Sequence, residues 1–453
     1  MEIIASVQSI CPVCHKPVKA TYTREDAGIV FRKSCEDHGD FAALVSEYDN
    51  DYLKWMEFTS VNVPPKMPIT KGKKDECPLH CGTCEEHLMT ACCVLLDITE
   101  RCNQQCPYCF AAANEDPSKD PSLNKIEKSY DRLIELGEAR PFNIQLSGGE
   151  PTVRDDLPQI IEMGKNKGFE YIQLNTNGKR IAEEDGYATK LKDAGVSTVF
   201  LQFDGMTDEI YTTLRGEPLL DTKLKAIEEC KKARIPVTLV PTVVKNINLY
   251  NLGDMFRFMM DNLNVVKGIH FQPVSFFGRH PEDDFENRVT MFRVMRELEK
   301  QTAGLITQED LVPISTGHQL CCFCANFLKE RDGSIKSLMS KEQKEKGMDC
   351  CGSDPDPEEI VRKDRDFVLN KWEVSDESTD CCDDSSGGCC EEEPQSFEEA
   401  LSYLRNNMFT ISGMAFMDKS NLDAERLKRC RVQVFTDDER LIPFCGYNSI
   451  YRK

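Results

Sequence analysis

Three cysteines stand within eight residues, in Cys102-Asn-Gln-Gln-Cys106-Pro-Tyr-Cys109. Thiolates are soft anionic ligands, and three at this spacing can wrap three corners of a [4Fe–4S] cube. Such clusters normally take four cysteines, so a three-cysteine loop leaves one iron open for a small molecule. A zinc knuckle or an ordinary cluster is the rival use of the same spacing. Ser147-Gly148-Gly149-Glu150-Pro151 is a second chemical candidate. Its glycines would let a ligand approach the main chain, and Glu150 would complement an ammonium group. A tight turn is the plainer use of that motif.

The remaining cysteines, of 23 in all, cluster toward the two ends, and from Phe110 to Leu320 there is only Cys230, which reads as core. Disulfide scaffolds do not usually leave such a gap, and cysteines at ligand spacing in a reducing compartment more often bind metal. Cys11-Pro-Val-Cys14 and Cys35-Glu-Asp-His38 flank two strand-like runs, Val18–Thr23 and Ile29–Lys33. A hairpin of those runs gathers Cys11, Cys14, Cys35 and His38 into a tetrahedral site for zinc or rubredoxin-like iron. Cys77-Pro-Leu-His-Cys81-Gly-Thr-Cys84 repeats the first spacing without a following Gly-Gly-Glu. It reads as an auxiliary cluster with Cys92 or Cys93 as fourth ligand, or as a structural zinc. Cys430 and Cys445 bracket a final hairpin, and with Cys321, Cys322, Cys324, Cys350 or Cys351 they could hold another cluster. Buried thiols packing as small apolar groups are the alternative.

The elements that must position these groups alternate in type. Apolar strands are expected at Val94–Thr99, Ile144–Leu146, Tyr171–Leu174, Val199–Phe203, Val237–Val240 and Ile269–Gln272. Helices separate them near Ser122–Leu136, Ile181–Ala194, Leu219–Ala233 and Leu249–Asn262, with another that has Asp155 and Asp156 near its start and Pro158 in its first turn, and glycine stops at Gly137, Gly168 and Gly195. Another helix follows near Arg288–Gln301. Six βα units in a row imply a parallel sheet with right-handed crossovers and a site at the carboxyl ends of the strands. The cysteine loop and the Gly-Gly-Glu turn both fall at such ends. So do Asn175, Gln202, Asp204 and His270, which could face a ligand or merely cap helices and satisfy backbone. Tyr108 could stack beside the cluster or simply pack.

Four segments follow. Residues 1–58 are a small metal-binding ribbon, and 59–93 a linker with the auxiliary cysteine motif. Residues 94–310 are the βα region, and 311–453 a cysteine-rich extension. Within the last, 372–404 contains no lysine or arginine and many acids, the composition of a disordered insert. The formal net charge of −21 over 453 residues disfavours a nucleic-acid partner. No signal peptide and no membrane-length apolar run is visible, so a cytoplasmic location is expected.

The cysteine loop and Ser-Gly-Gly-Glu together resemble the radical SAM superfamily. The N-terminal Cys11-Pro-Val-Cys14…His38-Gly39 unit, Cys77-Pro-x-x-Cys81-Gly-x-Cys84, Ile411-Ser-Gly-Met-Ala-Phe-Met-Asp418 and Ile442-Pro-Phe-Cys-Gly-Tyr-Asn448 narrow the likeness. With them the chain resembles archaeal tetraether lipid synthases and pterin-methylating radical SAM proteins. It is more similar still to the bacterial radical SAM (seleno)protein family TrsS. The resemblance implies an α/β fold, a partial (βα)6 barrel between the ribbon and the cysteine-rich extension. It implies a [4Fe–4S] cluster on Cys102, Cys106 and Cys109, and S-adenosylmethionine held with Gly148, Gly149 and Glu150. Asn175, Gln202 and Asp204 would touch that cofactor or the substrate, with Tyr108 near the adenine. It also implies auxiliary [4Fe–4S] clusters, a ferredoxin or flavodoxin type electron donor, and a small-molecule, lipid or peptide substrate. The expected reaction is SAM cleavage to a 5′-deoxyadenosyl radical and hydrogen abstraction from an unactivated C–H bond, leading to C–C or C–S bond formation or methylation. A non-catalytic metal- or metalloid-binding protein and an RNA-modifying radical SAM enzyme are the two other functions considered.

Overall fold

The computed structural model describes residues 1–67, 70, 77–113, 116, 120–137, 141–281, 287–314, 317–346 and 397–452. The paired cysteines at 350–351, 381–382 and 389–390, and residues 372–396 of the acidic insert, lie outside them.

The N-terminal unit is a four-stranded antiparallel sheet, β1 (Glu2–Ile10), β2 (Pro17–Glu25), β3 (Gly28–Cys35) and β4 (Gly39–Ser46), in that order. The expected hairpin is its middle pair, with Ala20 opposite Lys33. Strands β1 and β4 add an edge on each side. Gly28 makes the β2–β3 turn possible: its φ is +113°, and a Cβ there would lie 2.1 Å from the Ser46 carbonyl oxygen. The sheet buries Tyr22 and Phe31 against Tyr52 of the helix Asp49–Met56. Tyr52 in turn meets Phe292 of the helix Met291–Gln301. This aromatic stack joins the ribbon to the main body.

The main sheet is built on β5 (Cys93–Thr99), β6 (Asn143–Gly148), β7 (Ile172–Thr176), β8 (Thr198–Gln202), β9 (Val237–Val240) and β11 (Val266–Pro273), side by side in chain order and all parallel. A short β10 (Thr242–Val243) pairs with the end of β11. The C-terminal extension completes both edges. Strand β14 (Met408–Met414) lies parallel to β11, with β12 (Cys322–Lys329) and β13 (Ile335–Ser337) antiparallel beyond it. On the other side β15 (Val432–Phe435) lies parallel to β5 and carries β16 (Leu441–Pro443). Among the described residues no pairing joins β13 to β16, so the curved sheet is an open, partial barrel.

Helices cover one face. Leu146, Leu174, Leu201, Leu239, Ile269 and Ile411 alternate along their strands and are fully buried in a core shared with Tyr130, Ile160, Leu191 and Phe256. The opposite face is the barrel interior. Two helix expectations change. The helix expected near Ile181–Ala194 is two, Lys179–Glu183 and Tyr187–Ala194, because Gly186 takes φ +76° between them. An unexpected helix, Asp208–Arg215, precedes Leu220–Lys232. No helix among the described residues is long and apolar enough to cross a membrane.

Candidate active site

Cys102, Cys106 and Cys109 follow β5 at the carboxyl edge of the sheet. Burial pushes the Cys102 thiol up to about 12, and the Glu150 carboxylate adds to the push. Burial also raises Cys106, with the Arg215 guanidinium opposing it. Each of these two thiols feels Cys109 as well. Three mutually interacting thiols, of which burial makes Cys102 and Cys106 costly to ionise, fit a metal centre that supplies the missing positive charge.

Two arginines, neither singled out by motif, hold the loop's main chain. Arg279 donates to the carbonyl oxygens of Cys106 (3.1 Å) and Ala113 (3.0 Å), and its backbone forms a two-way bridge with Cys109, 2.9 Å each way. Arg215 donates to the Tyr108 carbonyl at 2.9 Å. Tyr108 itself packs among Ile210, Leu214, Val244, Val274 and Phe276, which favours a packing role for the ring.

Asp204 departs from the expected ligand contact. Its side chain is 0% exposed and grips Arg215 with both oxygens, at 2.6 and 2.7 Å, while one oxygen also accepts from the Thr242 amide. A carboxylate so enclosed meets the site only through Arg215.

Gly148 and Gly149 give their room to protein. A Cβ on Gly148 would lie 2.0 Å from the Thr99 carbonyl oxygen, and one on Gly149 would lie 2.1 Å from that of Arg101. Gly149 and Glu150 donate their amides to those same oxygens. The glycines therefore let the Gly-Gly-Glu turn lie against the root of the cysteine loop. Glu150 is 2% exposed. One of its oxygens accepts from the Thr152 amide (3.1 Å) and the Thr152 and Thr176 hydroxyls (2.6 Å each), and the other accepts, among the described residues, only from the Asn177 amide (2.6 Å). Capacity for an outside donor is thus confined to the second oxygen.

Lys223, another residue without a motif, is fully buried. It donates to the Asn177 carbonyl at 2.5 Å and to Gln202 Oε1 at 3.2 Å. Burial lowers its ammonium to about 8. Asn175 accepts from Gln173 at 2.6 Å. His270 pairs with Ser412 across β11 and β14, Nδ1 to Oγ, at 3.0 Å.

The ribbon ligands converge. Cys11 Sγ lies 3.7 Å from His38 Nδ1, Cys35 Sγ lies 3.5 Å from the same nitrogen, and Cys14 Sγ lies 3.9 Å from Cys35 Sγ. All four ligand atoms lie within 4.8 Å of one another. A tetrahedral ion with Zn–S bonds of ~2.3 Å has edges of about 3.8 Å, so the set suits one zinc or iron ion. Burial pushes the Cys11 thiol up, but hydrogen bonds from the Cys14 and Val13 amides outweigh it and bring the thiol down to about 7.

For the auxiliary motif, the thiols that bear on Cys81 are Cys77, Cys84 and Cys430. Cys92 instead hydrogen-bonds Cys93. Cys430 thus bears on the charge of this loop, because the terminal hairpin folds back beside β5; the expected fourth ligand was Cys92 or Cys93. Cys430 also feels Cys445 and Cys321, and Arg426 donates to Cys321 Sγ at 3.5 Å.

Residues 96–259 match the Radical SAM superfamily, and residues 3–47 match the HMPTM N-terminal zinc ribbon domain. A 7,8-dihydro-6-hydroxymethylpterin dimethyltransferase of Methanocaldococcus jannaschii is 34% identical over 482 aligned positions, covering 98% of this chain and 93% of its own. A probable GTP 3′,8-cyclase of Methanococcus maripaludis is 30% identical over 263 positions, covering 54% of this chain and 84% of its own. Among solved structures, Streptococcus suis SuiB aligns at 13% identity and a TM-score of 0.41, over 66% of this chain and 70% of its own. The fold and the cysteine loop define a radical SAM enzyme of the class that cleaves S-adenosylmethionine at a [4Fe–4S] cluster. Within that superfamily the chain belongs to the zinc-ribbon family of the M. jannaschii dimethyltransferase.

Proposed function

We propose that this enzyme functionalises an unactivated C–H carbon of a small molecule, with methyl transfer as the leading reaction and Cys102, Cys106 and Cys109 as ligands of the reactive cluster. What supports the reading is that these three thiols bear on one another electrostatically and that their loop lies against the Gly148-Gly149-Glu150 turn at the carboxyl edge of the sheet. The methyl-transfer assignment rests on the full-length relationship to the pterin dimethyltransferase, whose named substrate is the first candidate here. Cys102, Cys106 and Cys109 would hold the cluster, which would supply the electron for reductive cleavage of S-adenosylmethionine. The chain's own part is positional. Arg279 and Arg215 fix the loop's carbonyls. Glu150 ties the cysteine loop to the Thr176–Asn177 turn and keeps one oxygen able to accept from an ammonium group.

Cys77, Cys81 and Cys84 with Cys430, and Cys321 with Cys445, are the candidate ligands of auxiliary clusters. The ribbon holds a single ion, and the electron comes from a ferredoxin or flavodoxin type donor. The test is anaerobic reconstitution with iron and sulfide, then S-adenosylmethionine and a reductant. Wild type should form 5′-deoxyadenosine and Cys106→Ala none. A wild-type protein that binds iron fully and forms no 5′-deoxyadenosine would refute the reading. Eight or more irons per chain would support an auxiliary cluster, whereas about four would leave only the first.

A further inference from the structure

Lys223 is fully buried on the helix Leu220–Lys232, and among the described residues it makes no ion pair. Its ammonium meets three neutral groups. These are the Asn177 carbonyl at 2.5 Å, Gln202 Oε1 at 3.2 Å and the Tyr211 ring, whose centroid lies 5.9 Å away. Asp204 and Glu150 act on it only at longer range, since each carboxylate is bound to other partners. An ammonium enclosed by neutral groups costs stability, because desolvation penalises the charge without a contact ion to offset it. A methionine would fill similar space without that cost, so packing does not explain the charge.

What the ammonium holds is the turn on which two parts of the site meet. Asn177 is buried, and both its backbone and its side chain are engaged. Its carbonyl accepts from Lys223, and its amide donates to Glu150 at 2.6 Å. Its side-chain Nδ2 donates to Asn103 Oδ1 at 2.7 Å, while Oδ1 accepts from the Lys179 amide at 3.0 Å. Asn103 directly follows Cys102. The Asn177 turn therefore latches the Gly-Gly-Glu segment to the cysteine loop, and Lys223 ties that turn to the helix. Cys106 and Lys223 also act on each other electrostatically, the ammonium favouring the thiolate.

We propose that Lys223 is a positioning residue for the cleavage step: it holds the Asn177 latch against the cysteine loop and keeps a positive charge within electrostatic reach of that loop. The first effect fixes the geometry of the loop between Cys102 and Cys106. The second favours the electron-rich state of a cluster held there, because cluster potentials respond to nearby charge. The inference rests on the assignment of the reactive cluster to Cys102, Cys106 and Cys109 and adds a residue that no motif marks.

The test uses the full-length enzyme reconstituted without oxygen, as wild type, Lys223→Met, Lys223→Gln and Asn103→Ala. Thermal midpoint and the rate of 5′-deoxyadenosine formation at saturating S-adenosylmethionine are measured for each. Electron paramagnetic resonance at one fixed potential gives the ratio of reduced to oxidised reactive cluster, from the signal that responds to S-adenosylmethionine. Lys223→Met should unfold at or above the wild-type midpoint, since it removes an uncompensated buried charge. Its reduced-to-oxidised ratio should nevertheless fall at least fivefold and its rate at least tenfold. Lys223→Gln can still donate to the Asn177 carbonyl, so it should recover part of the rate while the ratio stays low. Asn103 is exposed, so Asn103→Ala leaves the fold intact; it should lower the rate at least threefold with the ratio near wild type. An unchanged ratio and rate in Lys223→Met would overturn the inference, as would losses that appear only with a lowered midpoint. Full rate in Asn103→Ala would overturn it too. If no wild-type signal responds to S-adenosylmethionine, the cluster assignment itself fails; if the signal responds while the variants match wild type, only the role of Lys223 falls.

Discussion

Arg215 and Asp204 form a buried two-pronged ion pair, 5% and 0% exposed at their side chains, and the same guanidinium holds the carbonyl of Tyr108 between Cys106 and Cys109. The pair couples the end of β8 to the cysteine loop. Breaking such a pair from one side leaves an uncompensated charge, at a cost of roughly 3–5 kcal/mol. Asp204→Ala should therefore lower unfolding stability by about that amount and reduce iron retention. The double variant Asp204→Leu/Arg215→Met should be less destabilised than Asp204→Ala, as read by denaturant titration. Equal stability of Asp204→Ala and wild type would show that the pair does no such work.

The ribbon should bind one tetrahedral ion in a three-sulfur, one-nitrogen shell. X-ray absorption on zinc-loaded protein should give Zn–S distances of about 2.3 Å and one Zn–N distance of about 2.0–2.1 Å. Cys14→Ser and Cys35→Ser should each lose that ion while the reactive cluster still loads. A four-sulfur shell would remove His38 from the site.

Lys267 gives a pH dependence remote from any metal ligand. Its ammonium donates to the carbonyls of Leu263, Arg405 and Asn406. Burial lowers it from 10.5 to about 8. Between those two values the unfolded chain binds more protons than the folded one, so stability gains with rising pH. Relative to Lys267→Met, wild type should gain up to roughly 3 kcal/mol from pH 7.5 to 10.5, since each pKa unit is worth about 1.4 kcal/mol. A flat difference across that window would contradict the assignment.

Gly149→Ala should disable the site with little effect on the core. The new methyl would meet the Arg101 carbonyl oxygen and the chain around it, and main chain cannot step aside as a flexible side chain can. Iron retention and 5′-deoxyadenosine formation should fall at least tenfold while far-ultraviolet circular dichroism stays near wild type. Full activity would mean that the loop root has slack.

Arg279→Met should release the Cys106 and Ala113 carbonyls, each held by a charge-assisted bond worth about 1.5–3 kcal/mol. Iron loss to a chelator should accelerate, and Arg279→Lys should restore part of the retention. Unchanged chelation kinetics in the methionine variant would exclude a positioning role.

What the sequence determined by itself was local. The Cys102–Cys109 spacing, the alternation that makes β5 to β11, the glycine stops and the ribbon ligands Cys11, Cys14, Cys35 and His38 all lie within one element or one hairpin, where spacing fixes geometry. Tertiary structure decided what depends on partners far along the chain. The pairing of β14 with β11 and of β15 with β5 leaves no periodic trace. The same holds for Cys430 coming to Cys81, and for Arg279 reaching the cysteine loop. Asp204 shows the reason most clearly. Its place at a strand end was readable, but whether that carboxylate met a ligand or a guanidinium depended on Arg215 filling the same space. A one-dimensional pattern assigns a side chain to a face, and only packing selects the group that faces it.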